Sequence, residues 1–227
     1  MRQTVILILT LFVCQQLIAQ PPMTDAERIF KRDSALRATY SADSTKIAKQ
    51  FNEAEKWDKL KARAQYPLIK GDEWSGVIPV PDADEIPDPK QDYKLLFELT
   101  DDNPDSLRSK PDGGLTEVAR KINLHVASGI PANKIIPVLV IHGGALHQVA
   151  NNAYYQEHYK MDNPNIKLID DLKKAGAKFI ICGQAMNFLD MKKDQFLPDV
   201  KLSLTAQTVL SNYQLKGYVL YQVGSGK

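Results

Sequence analysis

The chain has 227 residues, 44% of them apolar and 25% charged, with a formal net charge of +2. That is the balance of an ordinary globular protein, and it gives no reason to expect a nucleic acid or an acidic polymer as partner.

The first twenty residues depart from this balance. Arg2 supplies a positive start, VILILTLFV is a short apolar run, and Ala19 lies just before a polar, proline-containing stretch. The pattern is that of a secretory signal peptide over residues 1–20. Its apolar run is shorter than the roughly 20 residues of a membrane span. The expectations are a periplasmic or secreted protein with no stable membrane insertion once the segment is cleaved. Cys14 lies inside this segment and follows Val13, whereas a lipoprotein cysteine normally follows a small residue. Cleavage then leaves Cys182 as the only thiol, and no intramolecular disulfide can form.

Residues 21–66 read as a helical extension. From Thr24 onward there is no Gly or Pro, and Ile29, Leu36, Tyr40, Ile47, Phe51, Trp57 and Leu60 recur at helical spacing. Thr24 and Glu27 fit a capping box at its start. Such a stripe is a packing face for the main domain or for a neighbouring subunit. Residues 67–91, with five prolines among acidic residues, read as an extended linker or a strap along the surface.

From Asp92 to the end, strand and helix signals alternate. YKLLFEL (93–99), IIPVLVIH (135–142), AKFIIC (177–182), VKLSL (200–204) and YVLYQV (218–223) are the strands. Residues 115–128, 165–175 and 205–216 are the helices, the last two closed by Gly176 and Gly217. NNAYYQEHY (151–159) falls in a long connection, where its aromatics serve a lid, a subunit contact or plain packing. Apolar strands separated by amphipathic helices predict an α/β domain over residues 92–227, with a mainly parallel five-stranded sheet covered on both faces.

Sites in such sheets gather at the carboxyl ends of the strands. His142 ends one strand and Cys182 another, so they are the candidate catalytic pair if their strands are neighbours. A thiolate is the attacking form of cysteine, and a nearby imidazole can tune it. Gly183 allows a sharp turn after Cys182, and Gln184 can hydrogen-bond a bound anion or a persulfide sulfur. Gly143, beside His142, joins Gly183 and Gln184 as a candidate ligand-binding position. The competing reading is that Cys182 is core filler, as buried free cysteines usually are.

HGGALH (142–147) resembles an esterase oxyanion loop, but the chain has no G-x-S-x-G elbow. His142, His147 and His158 match no compact zinc spacing, so no metal is expected. The terminal GSGK lacks the upstream glycine of a phosphate-binding loop. No cofactor is expected.

The segments VLVIHGGAL, NPNIKLIDDLKKAGAKFIICGQAM and FLPDVKLSLTAQTVLSNYQLKGYVLYQV together resemble the DsrE/DsrF-like (YchN-like) family over about residues 92–223. The resemblance implies a three-layer α/β/α domain that assembles into homo-oligomers. In sulfur-relay members, a cysteine at the position matched by Cys182 accepts sulfur as a persulfide and passes it to a partner. The implied function is an exported sulfur carrier or sulfurtransferase-like protein, with a sulfur donor or acceptor protein as partner. The alternative is a non-catalytic oligomeric protein that binds a small ligand or serves a structural role.

Overall fold

The computed structural model describes residues 23–224. The expected signal peptide, with Cys14, lies outside the described residues. The chain divides into two compact units, one ending at Glu55 and one beginning at Lys56.

Helix α1 (Asp25–Arg63) runs through both units. It starts with the expected capping box: the Thr24 amide donates to Glu27 Oε2 (2.8 Å) and the Glu27 amide to Thr24 Oγ1 (3.3 Å). These bonds hold the Glu27 carboxyl below its usual range. Ile29, Phe30, Leu36, Tyr40, Ile47 and Phe51 are all exposed on it. The last turns belong with the second unit, where Trp57 meets Trp74 edge-on at 5.5 Å and Lys61 pairs with Glu73 at 3.0 Å.

The start of the proline-rich segment is fastened down as a strap. Gln65 and Val77 exchange two backbone hydrogen bonds of 2.9 Å, closing residues 65–77 into a loop. Ile69 is buried in the main core. The side chain of Asn123, fully buried on helix α2 (Gly113–Ala127), accepts from the amides of Leu68 (3.2 Å) and Ile69 (2.9 Å). It also donates to the carbonyls of Ile69 (2.8 Å) and Ser75 (2.9 Å). One amide side chain thus satisfies four backbone groups that would otherwise be buried without partners.

The domain is a three-layer α/β/α fold around five strands: β1 (Tyr93–Leu99), β2 (Ile135–Ile141), β3 (Lys178–Cys182), β4 (Lys201–Ser203) and β5 (Val219–Val223). Their order is β4-β3-β2-β1-β5, and every pairing is parallel. Side chains alternate between faces, so each strand feeds two separate cores. Leu95, Phe97, Leu99, Leu139, Ile141, Phe179 and Ile181 pack with α2 and helix α4 (Ile166–Lys174) on one side. Leu96, Val138, Val140, Ile180 and Cys182 pack on the other with Ala206 and Leu210 of helix α6 (Ala206–Leu215). The two-sided burial explains why the central strands read as unbroken apolar runs.

One local expectation needs correction. Residues 152–159, read as part of a connection, form helix α3 (Asn152–Tyr159), because Asn151 Oδ1 accepts from the Tyr154 amide (2.9 Å) as an N-cap. Its Tyr154 and Tyr155 are buried in the larger core. After β3 the chain turns at once into the short helix α5 (Gly183–Phe188).

Candidate functional site

Strands β2 and β3 are hydrogen-bonded neighbours, in a register that pairs Val140 with Ile180 and Ile141 with Ile181. His142 and Cys182 are therefore the next residues of two adjacent strands at the carboxyl edge. The two candidate catalytic residues reach the same edge of the sheet, as the sequence suggested.

A third residue, which sequence reasoning missed, holds the histidine. Glu98 of β1 lies on the face of Cys182 and is only 9% exposed. Its Oε1 is 3.0 Å from His142 Nε2, and its Oε2 accepts a hydrogen bond from Gln222 Nε2 (2.9 Å). Glu98 stands directly opposite Gln222 in the β1–β5 register. A line of polar groups thus crosses the sheet from β5 through β1 to β2, with Cys182 one strand further. The signal in the sequence was a carboxylate inside the otherwise apolar run LLFEL, since a buried charge requires a partner.

Cys182 is 5% exposed and is a free thiol. Its neighbour Gly183 is required by close packing: a Cβ there would lie 2.7 Å from the carbonyl oxygen of Ser203. Gly143 is required for two reasons, a φ of +58° and a Cβ position 2.9 Å from the carbonyl oxygen of Thr100. These contacts account for both glycines as backbone devices that let the strand ends approach. Gln184 is exposed at the start of α5.

A second polar cluster, also missed, lies in the loops after β1 and β2. Arg108 donates to Asp102 Oδ2 (2.7 Å), and His147 Nδ1 lies 3.1 Å from the same oxygen. Arg108 also sits 4.3 Å above the ring of Tyr159. Burial would raise Asp102, but its bonds to His147 and Arg108 outweigh that and lower it. Tyr154, stacked on His158 at 3.9 Å, is pushed up to about 12, mainly by burial. The histidines proposed and rejected as metal ligands are thus committed elsewhere: His142 to Glu98, His147 to Asp102 and His158 to Tyr154. Among the described residues, no group of three or more His, Cys, Asp and Glu is arranged to hold a metal ion.

Beside the polar line, a cleft of about 900 Å³ opens at the carboxyl ends of β1 and β5. Glu98, Asp101, Glu117, Lys121, Gln222 and Trp74 line it. Cys182 and His142 lie outside its lining, so the cleft and the thiol are separate features.

Residues 114–221 match the family model described as the DsrE/DsrF-like family. That match covers most of the α/β domain. His142 and Cys182 fall within the matched residues, whereas Gln222 lies just after them and Glu98 well before them. Among solved structures, the protein of unknown function MTH1491 from Methanobacterium thermoautotrophicum is similar at 15% identity and a TM-score of 0.43. The match covers 58% of this chain and 99% of that one. No curated protein matches.

Proposed function

We propose that this protein is an exported sulfur carrier of the DsrE/DsrF-like family, with Cys182 as the sulfur acceptor. The observation that carries the reading is the pairing of Cys182 and His142 on adjacent strands of the carboxyl edge. In the transfer, the Cys182 thiolate attacks the outer sulfur of a persulfide donor. The S–S bond of the donor breaks, its thiolate leaves, and Cys182 becomes the persulfide. The exchange is redox-neutral and needs no cofactor. Passing the sulfur to an acceptor thiolate repeats the same step in reverse. His142 is the group that takes up the thiol proton.

The partners in this reading are a donor and an acceptor protein and further copies of the same chain. Phe188, at the end of α5, is 90% exposed, and Leu204, just after the edge strand β4, is 77% exposed. These apolar side chains support self-association.

The burial of Cys182 favours a second reading, in which the cysteine is core packing and the protein is a non-catalytic oligomer that binds a small ligand in its cleft. Alkylation of the native protein separates the two. The carrier reading predicts that iodoacetamide labels Cys182 without denaturant; a thiol that reacts only after unfolding supports the second reading.

A further inference from the structure

We propose that Glu98 is a positioning residue for the chemistry of Cys182, acting through His142 and itself fixed by Gln222. This rests on the sulfur-carrier reading and adds to it the residues that orient its histidine.

An ionised carboxylate can only accept hydrogen bonds. The 3.0 Å contact between Glu98 Oε1 and His142 Nε2 therefore puts the ring proton on Nε2. In the neutral ring the lone pair is then on Nδ1, the nitrogen that does not face Glu98. Glu98 reaches the histidine from β1, while Cys182 stands on β3, on the opposite side of β2. One carboxylate thus fixes both the tautomer and the ring orientation, leaving the free nitrogen available as base. An outer hydrogen bond that sets which nitrogen is protonated is a general way to prepare a histidine.

Gln222 completes the arrangement. Its amide donates 2.9 Å to Glu98 Oε2, which holds the carboxylate plane and leaves Oε1 for the histidine. The other charges on this face, Lys94 and Lys178, stand at the amino ends of β1 and β3, away from His142. Helices α5 and α6, with sequences GQAMNF and AQTVLSNYQL, contain no carboxylate, amine or imidazole. The phenol of Tyr213 is engaged with Lys178 at 2.9 Å. From the neighbouring strands, Glu98 and Cys182 are the titratable groups on this face next to His142 at the carboxyl edge.

The test combines ring NMR with sulfur loading, on the wild-type protein and the Glu98→Ala and Gln222→Ala variants. In the wild type, ¹⁵N spectra of the imidazole should show the Nε2–H form of His142, with a ring proton slow to exchange. In Glu98→Ala that proton should exchange freely, and the rate of Cys182 loading by glutathione persulfide should fall on the order of tenfold or more, the scale of outer-shell partners of histidine. Gln222→Ala, a truncation at an exposed position that leaves the core intact, should show a smaller effect in the same direction. An unchanged ring spectrum in Glu98→Ala overturns the proposal, as does full-speed loading in that variant. Absence of any adduct on wild-type Cys182 refutes the sulfur-carrier reading and this role with it, while the ring spectrum still reports whether Glu98 holds the histidine.

Discussion

Glu98 and His142, 44 residues apart in sequence, meet at 3.0 Å across two adjacent strands at the carboxyl edge of the sheet. Glu98 also lines the cleft, and His142 directly follows the strand next to that of Cys182. The contact exists because β1 and β2 are parallel neighbours in a fixed register, with Glu98 opposite Val140 and His142 two residues further along. A slip of one residue would turn Glu98 toward the opposite face and leave its carboxylate without this partner.

The N-cap of α2 predicts a distinct pH dependence. Asp112 accepts hydrogen bonds from the amides of Gly114 (2.7 Å) and Leu115 (3.3 Å), yet burial, reinforced by the charge of Asp102, pushes it up to about 6. An unfolded aspartate titrates near ~3.9. Between about pH 4 and 6 the folded state holds more protons than the unfolded one. Stability from this group is therefore full below about pH 4 and is lost as the pH rises through about 6. Asp112→Asn keeps an N-cap oxygen without the charge. It should be more stable than wild type at pH 7, on the order of 1–3 kcal/mol, with the gain vanishing toward pH 4. Urea denaturation at several pH values measures this; parallel stability curves for the two proteins would contradict it.

Asn123 is the staple of the strap. Replacing it with alanine leaves the amides of Leu68 and Ile69 and the carbonyls of Ile69 and Ser75 without that partner. The expected loss is about 2–4 kcal/mol, since unsatisfied buried groups cost about 1–3 kcal/mol each and some will find water. Limited proteolysis should then cut within residues 67–77 first. A variant with unchanged melting and no new cleavage would show that the strap is held by other contacts.

Self-association is expected at two apolar surfaces. Replacing Phe188 and Leu204 with lysine should lower the mass seen by light scattering without lowering the melting temperature, because both side chains are already exposed. Deleting residues 23–55 tests the helical arm separately, since the unit from Lys56 onward contains the whole sheet. An unaltered mass after both changes would remove self-association through these surfaces.

Much of the fold was legible because apolar runs and glycine stops are local signals. The strand at 93–99 has the bounds read from its residues, and Gly176 and Gly217 follow their helices with φ of 89° and 81°. The edge positions of His142 and Cys182 followed from the same runs. What the sequence could not reveal depended on strand order. Glu98 looked like one charge in a strand until β1 was known to lie beside β2. Arg108, Asp102 and His147 come from two loops whose meeting no spacing encodes. The strap was read from prolines, whereas its anchor is an asparagine 54 residues from Ile69 on a helix that looked ordinary.

The most direct measurement is intact-mass spectrometry of the native protein after incubation with glutathione persulfide, followed by alkylation with and without reductant and mapping of the modified peptide. The account predicts a single added sulfur on Cys182 that reductant removes and that Cys182→Ser abolishes. A Cys182 that stays unmodified in the folded protein would contradict it and leave the thiol as part of the core.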